Sequence, residues 1–210
     1  MTSENVFKEI PWVEGHFYNA KESLLIPNTV CMKQVHFAHA VWLDEKPDEW
    51  VEGDALITRT PELKLAVRTA DCAPILIVET QARLIAAIHA GWKSAVQGII
   101  ENSVSLMIQH GGNPKNMVAQ IGPHLQIQSF TVSPEMKALF APIHQHFFTE
   151  ENGQIFFDFD GYVQMRLRHA QIENIQSDGT DTFTNPLYNS YRRAPNDPAR
   201  QFSTIEIKEA

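Results

Sequence analysis

The sequence predicts an α+β fold or a mixed-sheet α/β fold. Two short apolar segments, residues 73–78 and 84–88, have the length and the aliphatic, partly β-branched composition of buried strands. Residues 92–109 instead carry apolar side chains at helical spacing. Strands and helices follow one another without strict βαβ alternation, which favours mixed sheets over a purely parallel one.

The remaining elements follow from turn residues and periodicity, taken along the chain. Residues 1–28 form an irregular entry with room for one strand, and the acidic, Pro47-containing segment 44–53 suits an exposed loop. A Gly-Gly pair at 111–112 ends the helix that starts at 92, and Ser133-Pro134-Glu135 starts the next one. The other predicted elements are strands at 30–36, 53–58, 63–68, 118–121, 155–159 and 182–184, and helices from 134 to about 147 and from 160 to about 172.

Composition excludes several classes of function. The 210 residues carry a formal net charge of -8 and no basic stripe, which argues against a nucleic-acid or anionic-membrane partner. No charged start precedes an apolar run, and no apolar stretch approaches the roughly 20 residues that cross a bilayer. The chain has only two cysteines, which argues against a disulfide scaffold and predicts a reducing, cytoplasmic location.

Cys72 and His89 stand at the rims of the two predicted buried strands, and His36 lies upstream in the sequence Lys-Gln-Val-His. We expect these three residues to meet around one metal ion. Cysteine and histidine are the common zinc ligands, and three protein ligands with one open position are typical of catalytic zinc. The wide spacing does not match a zinc finger. The alternative at this point is a core thiol with two scattered histidines.

Further candidates flank this set. Asp71 either hydrogen-bonds a ligand histidine or stabilises the turn before Cys72. His124 follows a Gly-Pro corner from which it could approach the site. Arginine suits bidentate binding of phosphate. The candidate anion-binding residues are Arg68, Lys93, Arg192, Arg193 and Arg200, and any of these cations could equally be a surface charge.

Six short motifs occur in the order seen in the YfiH-type family, over about residues 30–200. They are Q-V-H at 34–36, G-D-A-L-I-T at 53–58, T-A-D-C-A-P at 69–74, H-A-G-W at 89–92, I-G-P at 121–123 and S-Y-R-R at 190–193. The chain therefore resembles this family. Its members have been labelled polyphenol oxidases, laccase-domain proteins and purine nucleoside phosphorylases with adenosine deaminase activity.

The resemblance implies a fold, a cofactor and a reaction. The fold is one domain over residues 1–210, with layered mixed sheets flanked by helices, similar to cysteine-hydrolase-like toxins. The implied activity is zinc-dependent phosphorolysis of adenosine, inosine or methylthioadenosine, together with deamination of adenosine. The implied zinc ligands are His36, Cys72 and His89. Together with Asp71, which is a candidate from its position beside Cys72, they form the predicted catalytic set. The predicted binders of nucleoside and phosphate are Arg68, Lys93, His124, Arg192 and Arg193, of which the resemblance supports only the last two.

The chain departs from the family pattern at Phe37, Ser94 and His124, where members commonly have Gly, Gly and Cys; Lys93 also replaces Arg, and the N-terminal Ser/Asn segment is short or missing. Three alternatives stay open. One is a metal-free cysteine hydrolase with Cys72 as nucleophile and His89 as base. The second is a copper-dependent polyphenol oxidase, which is disfavoured because a multicopper site needs several His-X-His pairs and a Cys-His run. The third is a non-catalytic metal-binding module.

Overall fold

The structure is a computed structural model, and it describes residues 6–25 and 29–209. Within these residues the strands are, in chain order, β1 Val13–Phe17, β2 Met32–Lys33, β3 Ala40–Leu43, β4 Val51–Glu52, β5 Ala55–Thr58, β6 Leu65–Thr69, β7 Ala73–Glu79, β8 Leu84–Ala90, β9 Met117–Ile121, β10 Thr131–Val132, β11 Phe148–Glu151, β12 Gln154–Phe157, β13 Asn174–Ser177 and β14 Gln201–Ile207. The α-helices of the same residues are α1 Trp92–Gln97, α2 Ile99–Gln109, α3 Pro134–Ala138 and α4 Phe159–His169.

A mixed six-stranded sheet in the order β13-β9-β7-β8-β5-β3 forms the centre of the molecule. Its middle strands β7 and β8 are buried along their whole length. In β7, Ile75 and Ile77 face one apolar cluster, whereas Leu76 and Val78 face another on the opposite side. Because successive side chains of a strand point to opposite faces, a strand covered on both sides reads as a continuous apolar run.

Different layers cover the two faces of this sheet. The cluster on one face includes residues from α1, α2 and α4 and from a small antiparallel sheet, β10-β12-β11. The cluster on the other face includes residues of the antiparallel sheet β1-β14-β6. These layers confirm the predicted fold class of mixed sheets flanked by helices.

The register of the central sheet brings three polar residues to one end of it. Antiparallel pairing of β7 with β8 sets Ala73 opposite Ala90, so Cys72 lies beside the corner after β8. Pairing of β5 with β8 sets Ala55 opposite Ile88. The backbone N–H of His89 donates to the carbonyl of Asp54, which precedes β5, at 2.7 Å. Cys72, His89 and Asp54 therefore converge although they are far apart in sequence.

Two of the predicted strands are wrong. The strand predicted at 30–36 shrinks to β2, and His36 adopts a left-handed φ of 59°. The side chain of Gln34 hydrogen-bonds both the N–H and the carbonyl of Arg68, which replaces strand pairing in this segment. Residues 182–184 form a turn instead of a strand. The long strand β14, which carries Thr204 and other polar side chains, was not predicted.

The helix boundaries also differ from the prediction. The helix predicted over 92–109 is divided into α1 and α2 at Gly98, whose φ of 96° is readily adopted by glycine. The helix predicted from 134 to about 147 ends at Ala138, and a 3-10 turn starts at Pro142, which disfavours helical geometry in the residue before it. The cap of α4 is Asp158 instead of Asp160, and α4 ends at His169.

In the described part of the chain no helix combines the length and the apolar character needed to cross a membrane. The irregular entry predicted for residues 1–28 falls partly outside the described residues. Its described part contains the strand β1, which pairs with β14.

Candidate metal centre

His89 is held by a carboxylate that the sequence analysis missed. The ring lies near the end of β8 with 2% of its surface exposed, and its Nδ1 is 2.8 Å from Oδ1 of the fully buried Asp54. A carboxylate accepts hydrogen bonds only, so Nδ1 carries the proton and donates it. The Nε2 atom is therefore free to bind a cation, as in the carboxylate–histidine pairs of many metal sites.

Asp54 also fixes His36. Its Oδ1 accepts the backbone N–H of His36 at 3.0 Å, and its Oδ2 accepts that of Phe37 at 2.7 Å. The buried carboxylate of Asp54 thus positions both the imidazole of His89 on β8 and the loop that carries His36. The signal in the sequence was an acidic residue directly before the buried strand 55–58, a place where a charge needs partners.

Cys72 completes the set because Gly91 leaves room for it. A Cβ placed on Gly91 would lie 3.2 Å from Sγ of Cys72 and 3.1 Å from Nδ1 of His36. The backbone of Gly91 is extended, with φ −79° and ψ 161°, so a larger residue would fit there conformationally. The glycine is required by the close approach of the two side chains and not by its torsion angles.

One ligand atom from each of His36, Cys72 and His89 lies within 4.8 Å of the other two. The three side chains are respectively exposed, half-buried and buried, so the cluster opens to solvent on the His36 side. One thiolate and two imidazoles are a donor set that suits zinc, and three protein ligands leave a fourth position for water or substrate. The residues fit a metal ion. The alternative of a core thiol with scattered histidines does not match this convergence.

The charges in the cluster are coupled. Burial would lower the pKa of His89, but the Cys72 thiolate and the Asp54 carboxylate outweigh it and raise this pKa to about 9. Burial would raise the pKa of Asp54, and the hydrogen bonds from His89 and from the Phe37 and His36 backbone bring it below its usual value. Burial and the neighbouring His89 lower the pKa of His36. Asp54 thus stays ionised and stabilises positive charge on the His89 ring, whether a proton or a metal ion supplies that charge at Nε2.

The cluster opens into a cavity of about 770 Å³. This volume is in the range of pockets that bind small molecules. Aromatic and cationic side chains share its wall. The aromatic ones are Phe37, Trp92, Phe130, Phe159 and Tyr191, and the basic ones besides the histidines are Arg68, Lys93, Arg192 and Arg200.

Asp71 lines this cavity without contacting a ligand histidine. Its Oδ1 accepts the hydroxyl of Thr182 at 2.6 Å, and its Oδ2 accepts the backbone N–H of Arg192 at 2.8 Å. The Asp71 carboxylate therefore connects the segment that ends at Tyr191-Arg192 to the residues directly before β7, which include Cys72. The supporting role anticipated for Asp71 on a ligand histidine is filled by Asp54 instead.

The guanidinium groups of Arg192 and Arg193 are both occupied by the protein itself. Arg192 lines the cavity but donates to the carbonyls of Ser129 and Thr131 and to the Thr131 hydroxyl. Arg193 does not line the cavity, because it donates to three carbonyls of its own loop, those of Thr182, Phe183 and Tyr188.

His124 does not line the cavity either. It is fully buried, with Nδ1 2.8 Å from the carbonyl of Gly122 and Nε2 3.5 Å from Oδ1 of Asp160. Its ring packs edge-on behind Phe159, which does line the cavity. The Gly-Pro corner before His124 turns its side chain inwards, and for this reason the residue does not reach the substrate space.

The contact at Gly91 gives a direct test of this geometry. Gly91→Ala places a methyl group against Sγ of Cys72 and Nδ1 of His36 in a backbone conformation that alanine adopts freely. We expect zinc affinity to fall by at least about tenfold, as for other changes around metal ligands, while the fold is retained. Competition with a chromophoric chelator measures the affinity, and circular dichroism checks the fold. Unchanged affinity would show that the ligand atoms do not converge at this corner.

The comparisons with known proteins agree with this architecture. The model of a family described as multi-copper polyphenol oxidoreductase laccase matches residues 12–208. A Rickettsia conorii protein named purine nucleoside phosphorylase is 33% identical over 184 residues, which cover 85% of this chain and 73% of the relative. The Escherichia coli purine nucleoside phosphorylase YfiH is 30% identical over 168 residues, covering 78% and 68% of the two chains.

Solved structures show the same fold. The crystal structure of the Bacillus licheniformis hypothetical protein YfiH matches with a TM-score of 0.79 at 27% identity, covering 86% of this chain and 74% of that one. A Neisseria meningitidis protein matches with a TM-score of 0.79 at 23% identity, covering 90% and 78%. The chain belongs to the YfiH-type family, whose model is described as multi-copper polyphenol oxidoreductase laccase.

Proposed function

We propose that this protein is a zinc-dependent purine nucleoside enzyme. The observation that carries the proposal is the cluster of His36, Cys72 and His89, backed by Asp54 and open to a cavity of about 770 Å³. The names of relatives such as the Escherichia coli protein point to the same substrate class. The proposed reactions are phosphorolysis of adenosine, inosine or methylthioadenosine, and deamination of adenosine.

The cavity wall suits a purine. Aromatic rings such as Phe37 and Tyr191 offer flat apolar faces to a heterocyclic base, and stacked arrangements of this kind are favourable. Phe37 is 61% exposed, yet its backbone is fixed by Asp54, so the ring is presented at the mouth on a rigid support. Rigid presentation lowers the entropy that is lost when a ligand binds.

The two reactions make different demands on the protein. A zinc ion held at this site would act as a Lewis acid and lower the pKa of water to about 7. In deamination water adds to the amino-bearing carbon and ammonia leaves. In phosphorolysis a phosphate oxygen bonds to the sugar carbon C1′ as the bond to the base breaks, and positioning supplies most of the acceleration. The residues of the cavity bind and orient the reactants in both cases.

The ligand count argues against the copper-oxidase alternative. Multicopper oxidases need a type 1 copper and further copper ions, each with its own set of ligands. Among residues 6–25 and 29–209 the structure holds one group of three or more potential ligands, that of His36, Cys72 and His89. One thiolate with two imidazoles and an open position is better suited to hydrolytic or transfer chemistry on zinc.

One observation favours a second candidate, the metal-free cysteine hydrolase. Asp54, His89 and Cys72 follow one another as carboxylate, imidazole and thiol, the order of a nucleophilic triad. The pKa of His89, raised to about 9, would keep this imidazole protonated near neutral pH, as the base partner of such a pair requires. In that version Cys72 attacks a carbonyl carbon, and His89 protonates the leaving group.

Metal removal separates these candidates. We expect the purified protein to contain about one zinc per chain, to lose turnover of adenosine and inosine after chelation, and to regain it when zinc is added back. Chromatography with and without phosphate identifies the products as free base with ribose 1-phosphate, or as inosine with ammonia. Full activity in the chelated protein would refute the proposal. Stoichiometric zinc with no turnover across a nucleoside panel would indicate a non-catalytic metal-binding module.

A cytoplasmic location forms part of the proposal. Cys31 and Cys72 are both free thiols, and Cys72 must stay reduced in order to bind a metal ion. A reducing compartment provides this condition.

A further inference from the structure

Three cationic side chains line the cavity without a carboxylate partner. Arg68, Lys93 and Arg200 belong to its wall, and no described carboxylate lies within ion-pair distance of any of them. The carboxylate that shares the wall, Asp71, is already engaged by Thr182 and by the backbone of Arg192. In a chain with a net charge of -8, this concentration of unpaired positive charge needs an explanation.

Arg68 is positioned to donate and finds no acceptor among the described residues. Its backbone is fixed by the double hydrogen bond with Gln34, and its guanidinium lies 4.8 Å from the centre of the Trp50 ring. Its Nε atom is buried and has no hydrogen-bond partner in the described part of the protein. A buried N–H without a partner is costly, and such groups often donate a hydrogen bond to a bound ligand or an ordered water instead of the protein.

Arg200 and Lys93 extend the same positive wall. Arg200 packs against the ring of Tyr191, 6.0 Å from its centre, and one of its terminal nitrogens donates to the carbonyls of Asp197 and Ala199. Lys93 follows the corner after β8, with its Nζ 5.6 Å from the centre of the Trp92 ring. Guanidinium groups present several donors in a fixed plane, which suits the oxygens of a phosphate group.

We propose that Arg68, Lys93 and Arg200 form a phosphate-binding site at the metal centre. Its ligand is a phosphoryl dianion, either inorganic phosphate as the attacking co-substrate or the phosphate group of the sugar 1-phosphate product. The assignment rests on the proposed function, and it replaces Arg192 and Arg193, whose guanidinium groups are used within the fold. From the sequence alone, Arg200 is only a general candidate for anion binding.

The test measures phosphate binding without any need for turnover. The zinc-loaded protein is titrated with inorganic phosphate and, separately, with ribose 1-phosphate in a calorimeter. We expect Arg68→Gln and Arg200→Gln each to raise the Kd of phosphate by roughly 10- to 100-fold, the range for one hydrogen bond to a charged group. Zinc content should stay unchanged in both variants. The relative affinities of the two ligands identify which source of the phosphoryl group the site prefers.

Arg83→Gln is the matched control, because the Arg83 guanidinium also packs on an aromatic ring, 5.4 Å from the centre of Trp12, but does not line the cavity. This variant should bind phosphate like the wild type. Phosphate affinity that is unchanged in both cavity variants would overturn the site. The same loss in Arg83→Gln would also overturn it, since the effect would then come from overall charge.

Kinetics separate the failure of this site from the failure of the proposed function. Phosphorolysis by the Arg200→Gln variant should show a KM for phosphate that is raised by a larger factor than the KM for the nucleoside. A normal KM for phosphate would refute the site and leave the nucleoside reaction standing. Arginine-dependent phosphate binding in a protein that turns over no nucleoside would refute the proposed function and leave the site standing.

Discussion

The Cys72→Ala variant should purify without zinc and should not turn over adenosine or inosine. Cys72 supplies the one sulfur donor of the cluster, and its removal leaves two imidazoles, one of them exposed to solvent. Loss of a ligand should cost more than the roughly 10- to 100-fold that is typical for removal of a group supporting a ligand. Elemental analysis of the purified variant, together with product chromatography, measures both effects.

Cys31→Ala is the control for this experiment. Cys31 is the other free cysteine, it is also half-buried, and its Sγ lies 3.6 Å from the Thr29 hydroxyl, away from the metal cluster. This variant should keep zinc and activity. Wild-type zinc content and adenosine turnover in Cys72→Ala would refute the proposed metal site.

The second large effect is expected for Asp54→Asn. An amide of the same shape keeps one acceptor oxygen but places an NH₂ group against a donor, because both carboxylate oxygens of Asp54 accept hydrogen bonds, from His89, His36 and Phe37. His89 then loses the charge that fixes its tautomer. We expect zinc affinity to fall by roughly 10- to 100-fold and the free energy of unfolding to fall by about 1–3 kcal/mol.

Chelator competition and denaturant unfolding measure these two quantities for Asp54→Asn. Asp158→Asn is a matched control, because Asp158 caps α4 through the N–H of Gly161, and asparagine caps helices equally well. It should leave zinc affinity unchanged. If Asp54→Asn bound zinc as tightly as the wild type, the carboxylate would have no part in organising the ligands.

The sequence predicted the central strands because burial on both faces leaves a clear pattern. The apolar runs at 73–78 and 84–88 form strands that are buried along their whole length in the middle of a covered sheet. Edge elements were less predictable. The strand β14 pairs with β1 on one side and β6 on the other, and its buried positions include the polar residues Ser203 and Thr204. The strand predicted over His36 is replaced by side-chain hydrogen bonds from Gln34. Contacts between residues far apart in the chain leave little pattern in the local sequence from which a strand can be predicted.

The candidate site was predictable where it depends on residue type and unpredictable where it depends on tertiary contacts. Cysteine and histidine at strand rims pointed to His36, Cys72 and His89. Asp54 was missed because its role arises only when sheet register places it beside the end of β8. The guanidinium group of Arg193 has the donors needed to bind an anion, but in the structure it donates to backbone carbonyls of its own loop.

X-ray absorption spectroscopy of the zinc-loaded protein tests the central claim most directly. We predict a first shell with one sulfur at about 2.3 Å and two imidazole nitrogens at about 2.0–2.1 Å, completed by a light atom. The sulfur contribution should vanish in Cys72→Ala and persist in Cys31→Ala. A zinc shell without sulfur, or a protein that takes up no zinc at all, would contradict a metal centre built from His36, Cys72 and His89.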